Sequence, residues 1–427
     1  MTQLNPARLV EATRVHRLAY VDPGIFALEL DRVYGAGWVY LAHDSQLPEP
    51  DTFVRSWLGT RPLLVTRGRD GAVHALLNRC RHRAVTLATR DCGSATSFRC
   101  EYHGWTYRNT GELTGVPYPR GYGDALDKSA LGLGKLRVER SHGFIFGTLA
   151  ADPQPLPEYL GPAADALAEW SARSPTGRIR LRHGARRVLV EANWKVVWDN
   201  AADGYHPAFT HRSLLEVANR HREGLSLSHF DGDPDDLPMR TYDYGNGHAL
   251  LDQRPSLGGG LWSHAKPVPG VEAAVAALRE RYGDEAERWL ELAPPGGMNL
   301  SVFPNLLVNA NFVTTLQPLS PQRSVMHEHA VTLDGVPAEV NWLRLRFCED
   351  FVNFGEPDDI EMWERAQHGY AAAEMEWNDI SRGSTGERAE PRADGGTTVR
   401  VTDEAPIRSY WRLWQRQMSA DTALVPA

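Results

Sequence analysis

The sequence predicts an α+β protein: a small all-β domain followed by a larger domain in which long helices accompany antiparallel strands. Three observations predict it. Short alternating or apolar runs, split by turn residues, fill the stretch from residue 38 to 152. A proline cluster, Pro153, Pro155 and Pro157, ends that texture. Beyond it, helical and strand patterns alternate over a length sufficient for a second core. The reading therefore has three parts: 1–37, a helical segment packed on the larger domain; 38–152, the β domain; and 153–427, the α+β domain.

In order along the chain, 23–38 reads as a helix with Phe26, Leu28, Leu30, Val33 and Tyr34 on one face, ended by Gly35 and Gly37. Stretches 52–58, 62–67 and 73–78 read as strands, separated by Gly59-Thr60 and Arg69-Asp70-Gly71. Stretches 97–100 and 105–108 flank a loop, and 142–149 closes the domain. Further on, helices are expected at 160–172, 271–292 (broken near Gly283), 340–354 and 360–374. Strands are expected at 186–192, within 301–317 and at 324–333, and a solvated loop at 382–396.

A net charge of −8 offers no basic stripe for nucleic acid. No apolar run reaches membrane-span length, and residues 1–20 lack the apolar core of a signal peptide. Of the four cysteines, Cys92 and Cys348 are expected to be buried free thiols of a reducing compartment, which makes the cytoplasm the expected location.

The other two cysteines carry the strongest signal. Cys80-Arg81-His82 and Cys100-Glu101-Tyr102-His103 are separated by seventeen residues, and each offers one thiolate and one imidazole. Two loops of this kind supply the donors of an iron–sulfur centre with two cysteines on one iron and two histidines on the other. Replacing thiolates by neutral rings lowers the negative charge on such a cluster and raises its potential. A structural zinc site uses the same donors, but zinc loops usually pair like with like, whereas here each loop mixes them. The Gly104-Trp105 step after the last ligand strengthens the resemblance to the Rieske [2Fe–2S] motif.

A second set follows in Asn193-Trp194-Lys195, Asp199-Asn200, Asp203, His206 and His211. A non-haem Fe(II) that activates dioxygen takes two imidazoles and a carboxylate on one face and leaves the other open. His206 and His211 are five apart, a spacing a plain helix does not bring to one metal, so a break at Pro207 is expected. Asp203, three residues before His206, is expected on the same helical face, where it would orient that ring.

The joint pattern Asn-x2-Asp-x2-His-x4-His, downstream of a Rieske motif, resembles the large (α) subunits of the Rieske non-haem iron aromatic-ring-hydroxylating oxygenases. The resemblance spans nearly the whole chain. It implies a helix-grip-like catalytic sheet and two cofactors, a [2Fe–2S] cluster on Cys80, His82, Cys100 and His103 and an Fe(II) on His206 and His211. The third iron ligand it implies is Asp359, with Glu364 five positions on; Asp358 stays open as an alternative, and both acids also suit a helix N-terminus. Asn200 and Asp203 are implied as catalytic-site residues. In the family an Asp bridges a cluster His of one subunit to an iron-bound His of the next in a ring-shaped trimer; by position these are Asp203, His103 and His206.

The implied activity is that of the oxygenase component of a multicomponent system. NAD(P)H is oxidised by a separate reductase, with or without a ferredoxin, and both atoms of O2 enter an aromatic ring as a cis-diol. No stretch of this chain completes a dinucleotide-binding glycine motif. The implied assembly is an α3 core, with or without a small β subunit. Stretches 37–45 and 202–206, with Gly369-Tyr370 and 376–379, are similar to the benzoate, toluate, anthranilate and salicylate oxygenases, which points to an aromatic carboxylate. Candidate pocket residues are Phe209, Leu307, Asn309 and Asn311, and Arg408 or Arg212 would face a carboxylate. Two other readings remain: a Rieske monooxygenase or demethylase with the same metal ligands, and a non-enzymatic electron carrier or zinc-stabilised binding protein.

Overall fold

The structure is a computed structural model, and it describes residues 4–181, 184–214, 216, 236–256, 269–286, 297–309, 311–386, 389–420 and 423–424. The chain divides into two compact units, one of Met1–Leu28 with Pro157–Ala420, the other of Glu29–Leu156 with Asp421–Ala427. The division falls inside the helix Pro23–Arg32, not after residue 37 as the sequence suggested. Within the second unit, Leu30 and Asp31 accept hydrogen bonds from Arg61.

The unit containing the cysteine–histidine loops is built on a seven-stranded antiparallel sheet. Its order is Val39–His43, Phe144–Thr148, Lys135–Ser141, Val73–Leu77, Arg61–Arg67, Thr52–Leu58 and Cys92–Ser94. A three-stranded sheet, Ser97–Arg99, Thr106–Arg108 and Leu113–Gly115, carries the second loop. Phe53, Leu64, Leu76, Phe98, Trp105, Tyr107 and Leu113 close over both cysteines in one apolar cluster. The expected strand texture is found here because alternation matches the pleat of half-buried strands.

The larger unit has a ten-stranded antiparallel sheet among the described residues. Its longest strands, Phe312–Ser320 and Arg323–Leu333, pair with each other, and Arg186–Val190 pairs with the latter. Next in order come Leu306–Val308, Met298–Val302, His248–Asp252, Arg240–Gly245 and Thr397–Arg400. The helices Ala338–Phe354 and Glu356–Gly369 follow the strand Arg323–Leu333 in sequence, the second beginning four residues earlier than the pattern suggested. The expected helix of 271–292 is present as Val271–Tyr282; residues 287–292 lie outside the described set. The helix Ala405–Ser419 was not expected, although Ile407, Tyr410, Trp411, Trp414 and Met418 recur at helical spacing and are all buried. Arg14–His16 pairs with Trp377–Asp379 and ties the N-terminal segment to this unit. No helix among the described residues is long and apolar enough to cross a membrane.

Candidate metal centres

The two loops of the smaller unit share one backbone plan. The Cys80 N–H donates to the Val85 carbonyl (2.8 Å) and the Ala84 N–H to the Cys80 carbonyl (3.0 Å). Likewise the Cys100 N–H donates to the Trp105 carbonyl (2.8 Å) and the Gly104 N–H to the Cys100 carbonyl (2.9 Å). The fourth residue after each cysteine is left-handed, with φ of 59° at Ala84 and 73° at Gly104. Ala84 tolerates that angle, but at 104 a Cβ would also stand 2.8 Å from Cγ of Pro117, which a glycine avoids.

These matched turns bury both sulfurs, Cys80 and Cys100 being 1% and 2% exposed. The half-buried rings of His82 and His103 lie 4.4 Å apart, and His82 stacks on Trp105 at 5.2 Å. Nδ1 of His82 is buried with no hydrogen-bond partner. Such an atom is costly unless something accepts its lone pair, and a metal would. His103 is held below the ordinary histidine value, first by burial and then by the neighbouring His82 and Arg83, which favours the neutral ring that ligates metals. Two buried thiols beside two adjacent rings fit a [2Fe–2S] cluster. Cys348 is buried as expected, whereas Cys92 is half-buried; both are free thiols.

In the larger unit the helix Trp194–Asn200 opens on Asn193, whose side chain accepts the Lys195 N–H at 3.0 Å. The helix stops at Asn200, so Asp203 and His206 do not share a helical face. They meet across a bend in which Asp203 Oδ1 accepts the Tyr205 N–H (2.6 Å) and Oδ2 faces Nδ1 of His206 (3.1 Å). Gly204 permits the close approach of Val401, whose Cγ2 would lie 2.2 Å from a Cβ at that position. Pro207 then starts a single helical turn, Pro207–Thr210, with His206 before it and His211 after it. The two rings therefore stand at opposite caps of one turn, 5.5 Å apart.

Asp359 meets them from the first turn of the helix Glu356–Gly369. Its Oδ1 lies 3.5 Å from Nε2 of His206 and 3.4 Å from Nε2 of His211. The three donor atoms fall within 4.8 Å of one another, the two-histidine, one-carboxylate set of an oxygen-activating Fe(II). The remaining ring nitrogens are held from behind: Asp203 faces Nδ1 of His206, and Asp358 Oδ2 faces Nδ1 of His211 at 3.4 Å. The acid pair is thus divided, Asp359 toward the shared point and Asp358 toward the back of His211. Asn200 Nδ2 donates to Asp359 Oδ1 at 3.4 Å. Burial pushes the Asp359 carboxyl up against the pull of His211 and His206. Burial also lowers His206, but the hydrogen bond and charge of Asp203, with Asp359, outweigh it and raise that ring.

The other predicted site residues are not brought to this point. Phe209 is 71% exposed and makes an edge contact with Tyr205. Leu307 and Asn309 are half-buried on and beside the strand Leu306–Val308, and Asn311 donates to the Arg344 carbonyl at 2.7 Å. Arg408 gives Nη1 to the carbonyls of Ile380 and Arg382, both at 2.7 Å, and so braces a loop instead of facing the histidines. Arg212 is exposed and pairs with Glu216. Glu364 accepts the Glu191 N–H at the end of a strand.

Two supporting clusters escaped the sequence reading. Asp199 is half-buried and accepts from Tyr20 Oη (2.8 Å), Trp411 Nε1 (3.2 Å) and Tyr410 Oη. Arg186 Nη1 joins Glu328 (2.6 Å) to Glu356, and its Nη2 donates to the Val352 carbonyl (3.0 Å). The residues of each cluster come from distant parts of the chain, so neither leaves a local motif.

The sequence profile of the ring hydroxylating alpha subunit (catalytic domain) matches residues 177–420, and that of the Rieske [2Fe-2S] domain matches 37–129. The chain belongs to the ring-hydroxylating α-subunit family. As a member it is an oxidoreductase of the dioxygenase type, with a Rieske [2Fe–2S] cluster and a mononuclear iron as its cofactors. It is 32% identical to the toluate 1,2-dioxygenase subunit alpha of Pseudomonas putida, over 95% of this chain and 91% of that one. It is 28% identical to the anthranilate 1,2-dioxygenase large subunit of Acinetobacter baylyi, over 87% and 80%. Among solved structures it resembles a naphthalene 1,2-dioxygenase with indole bound in its active site, with a TM-score of 0.81 and 27% identity over 98% of this chain and 95% of that one. The α+β reading with an all-β cluster domain agrees with this family.

Proposed function

We propose that this chain is the α subunit of a multicomponent dioxygenase that converts an aromatic carboxylate, a benzoate or aminobenzoate, to a cis-diol. The convergence of His206, His211 and Asp359 on one point carries the reading. In it, Cys80, Cys100, His82 and His103 would hold the cluster and the triad would hold the single iron. The first would supply electrons one at a time, and the second a site for dioxygen chemistry beside substrate. Asp203 and Asp358 orient the two rings, and Asn200 steadies the Asp359 oxygen that both rings face.

The relatives named for toluate, 2-halobenzoate and anthranilate support a carboxylate-bearing ring as substrate. The chain works in the cytoplasm in an α3 or α3β3 assembly and takes electrons from a reductase, with or without a ferredoxin. Across a subunit boundary Asp203 links His206 to the partner subunit's His103. Purified protein with a competent reductase and labelled dioxygen tests the reading. Two labelled oxygens in a diol of benzoate, toluate or anthranilate are expected; one labelled oxygen in an alcohol or aldehyde would move the protein to the monooxygenases.

A further inference from the structure

Three side chains turn their polar hydrogens to one carboxylate. Tyr20 Oη and Trp411 Nε1 donate to Asp199 at 2.8 and 3.2 Å, and Tyr410 Oη donates as well. Asp199 directly precedes Asn200, whose amide donates to the Asp359 oxygen that faces both histidines. The rings continue away from that point. Tyr410 lies 5.0 Å from Trp411, Trp411 lies 5.4 Å from Tyr20, and Tyr20 stacks at 4.4 Å on Tyr370, which is half-buried. We propose that this chain of rings has a second, protective activity: it draws oxidising equivalents away from the iron centre when dioxygen is reduced there without substrate, and discharges them at Tyr370.

A packing role needs the rings but not the shared acceptor. Phenol and indole are the aromatic side chains most easily oxidised by one electron. A phenol yields that electron readily only if its proton leaves at the same time. Asp199 offers a place for the proton across bonds already made. Burial pushes its carboxyl up to about 7, so it is a stronger base than an ordinary carboxylate.

The transfer balances at each stage. Tyr410 gives one electron to the oxidant at the iron centre and its O–H proton to Oδ1 of Asp199, which leaves a neutral phenoxyl radical and a neutral carboxyl. Tyr20 then gives an electron to Tyr410 and a proton to Oδ2, while Oδ1 returns its proton to Tyr410. The carboxyl of Asp199 thus holds one proton throughout. Trp411, in ring contact with both tyrosines, relays the electron. Tyr370, stacked on Tyr20, restores it with one electron and one proton. It recovers both from a thiol in solution, which leaves as a thiyl radical.

The inference rests on the iron-centre reading above. Purified holoenzyme in thiol-free buffer, chemically reduced and then exposed to dioxygen without substrate, is freeze-quenched for electron paramagnetic resonance and digested for peptide mapping. The expected signal is a transient organic radical that narrows when the protein carries ring-deuterated tyrosine, with oxygen adducts collecting on the Tyr370 peptide. Tyr20→Phe combined with Tyr410→Phe keeps the rings and removes both phenols. It should lose the radical and move the adducts to the peptides of His206 and His211. A tyrosine radical undiminished in that variant, or absent from unaltered protein that consumes dioxygen, overturns the proposal. Should the double variant not fold, Tyr370→Phe takes its place, because it leaves the donors of Asp199 untouched. Its radical should outlast that of the unaltered chain, and an unchanged decay overturns the proposal. Iron no greater than acid-labile sulfide would instead overturn the iron-centre reading, and the proposal with it.

Discussion

Asp203 and His206 meet through a 3.1 Å contact between Oδ2 and Nδ1, and this contact decides which nitrogen of the ring is left to face Asp359. Removing a partner behind a metal-bound imidazole typically costs about 10–100-fold in metal affinity or activity. Asp203→Ala should therefore retain the cluster and lower turnover by at least about 10-fold. Single-turnover kinetics on iron-loaded protein check this, and turnover equal to that of the unaltered chain would remove Asp203 from the electron path.

Asp359→Ala leaves the two rings without the oxygen that lies within 3.5 Å of both. The expected result is loss of the single iron with the cluster retained, read as a fall in iron per chain at constant acid-labile sulfide. Asp358→Asn, behind His211, should keep the iron and weaken its binding by about 10-fold. Equal iron loss in the two variants would contradict the division of the acid pair.

Arg186 is the cation that joins Glu328 and Glu356. Burial first, and the neighbouring Glu328 second, push the Glu356 carboxyl up to about 9, so the pair shares a proton at neutral pH and leaves one negative charge for Arg186. Arg186→Met strands that charge in the interior and should destabilise the fold by roughly 3 kcal/mol. Adding Glu328→Gln should recover much of the loss. Chemical denaturation of the two variants measures both effects.

Asp199 is pushed by burial from the ordinary 3.8 up to about 7. Between those values the folded chain keeps a proton that the unfolded chain has released. The contribution of this group is therefore greatest below the unfolded value, declines as pH rises toward 7, and is level above it. Asp199→Asn cannot titrate and should flatten that part of the stability profile. Melting temperatures at pH about 5 and about 8 read the difference, and parallel profiles for the two proteins would exclude Asp199 as its source.

Arg408 supports backbone carbonyls, so Arg408→Ala should lower the melting temperature while leaving KM for a benzoate within about twofold. A rise in KM by about tenfold, with an unchanged melting temperature, would make it the carboxylate anchor after all.

The metal donors were legible because their spacing is dictated by chemistry: a thiolate and a ring per loop, and two rings flanking Pro207. The β domain was legible from alternation. What stayed hidden depends on contacts between distant segments. Asp358 reads like any first-turn acid until His211 is placed against it. The helix ends at Asn200, short of Asp203, and the Asp203-Gly204 step, the same turn signal as Asp70-Gly71, marks the bend. Asn311 looked like a polar pocket wall, yet its amide bonds the Arg344 carbonyl. The helix Ala405–Ser419 shows in the apolar spacing of Ile407, Tyr410, Trp411, Trp414 and Met418, whereas the bonds of its Arg408 to the carbonyls of Ile380 and Arg382 leave no mark in the sequence.

The three donors around Asp199 come from widely separated segments, Tyr20 from near residue 20 and Tyr410 and Trp411 from the helix Ala405–Ser419. The helix that carries Asn200 is thereby pinned to both, so a disturbance of either segment would reach the oxygen of Asp359 through the Asn200 amide.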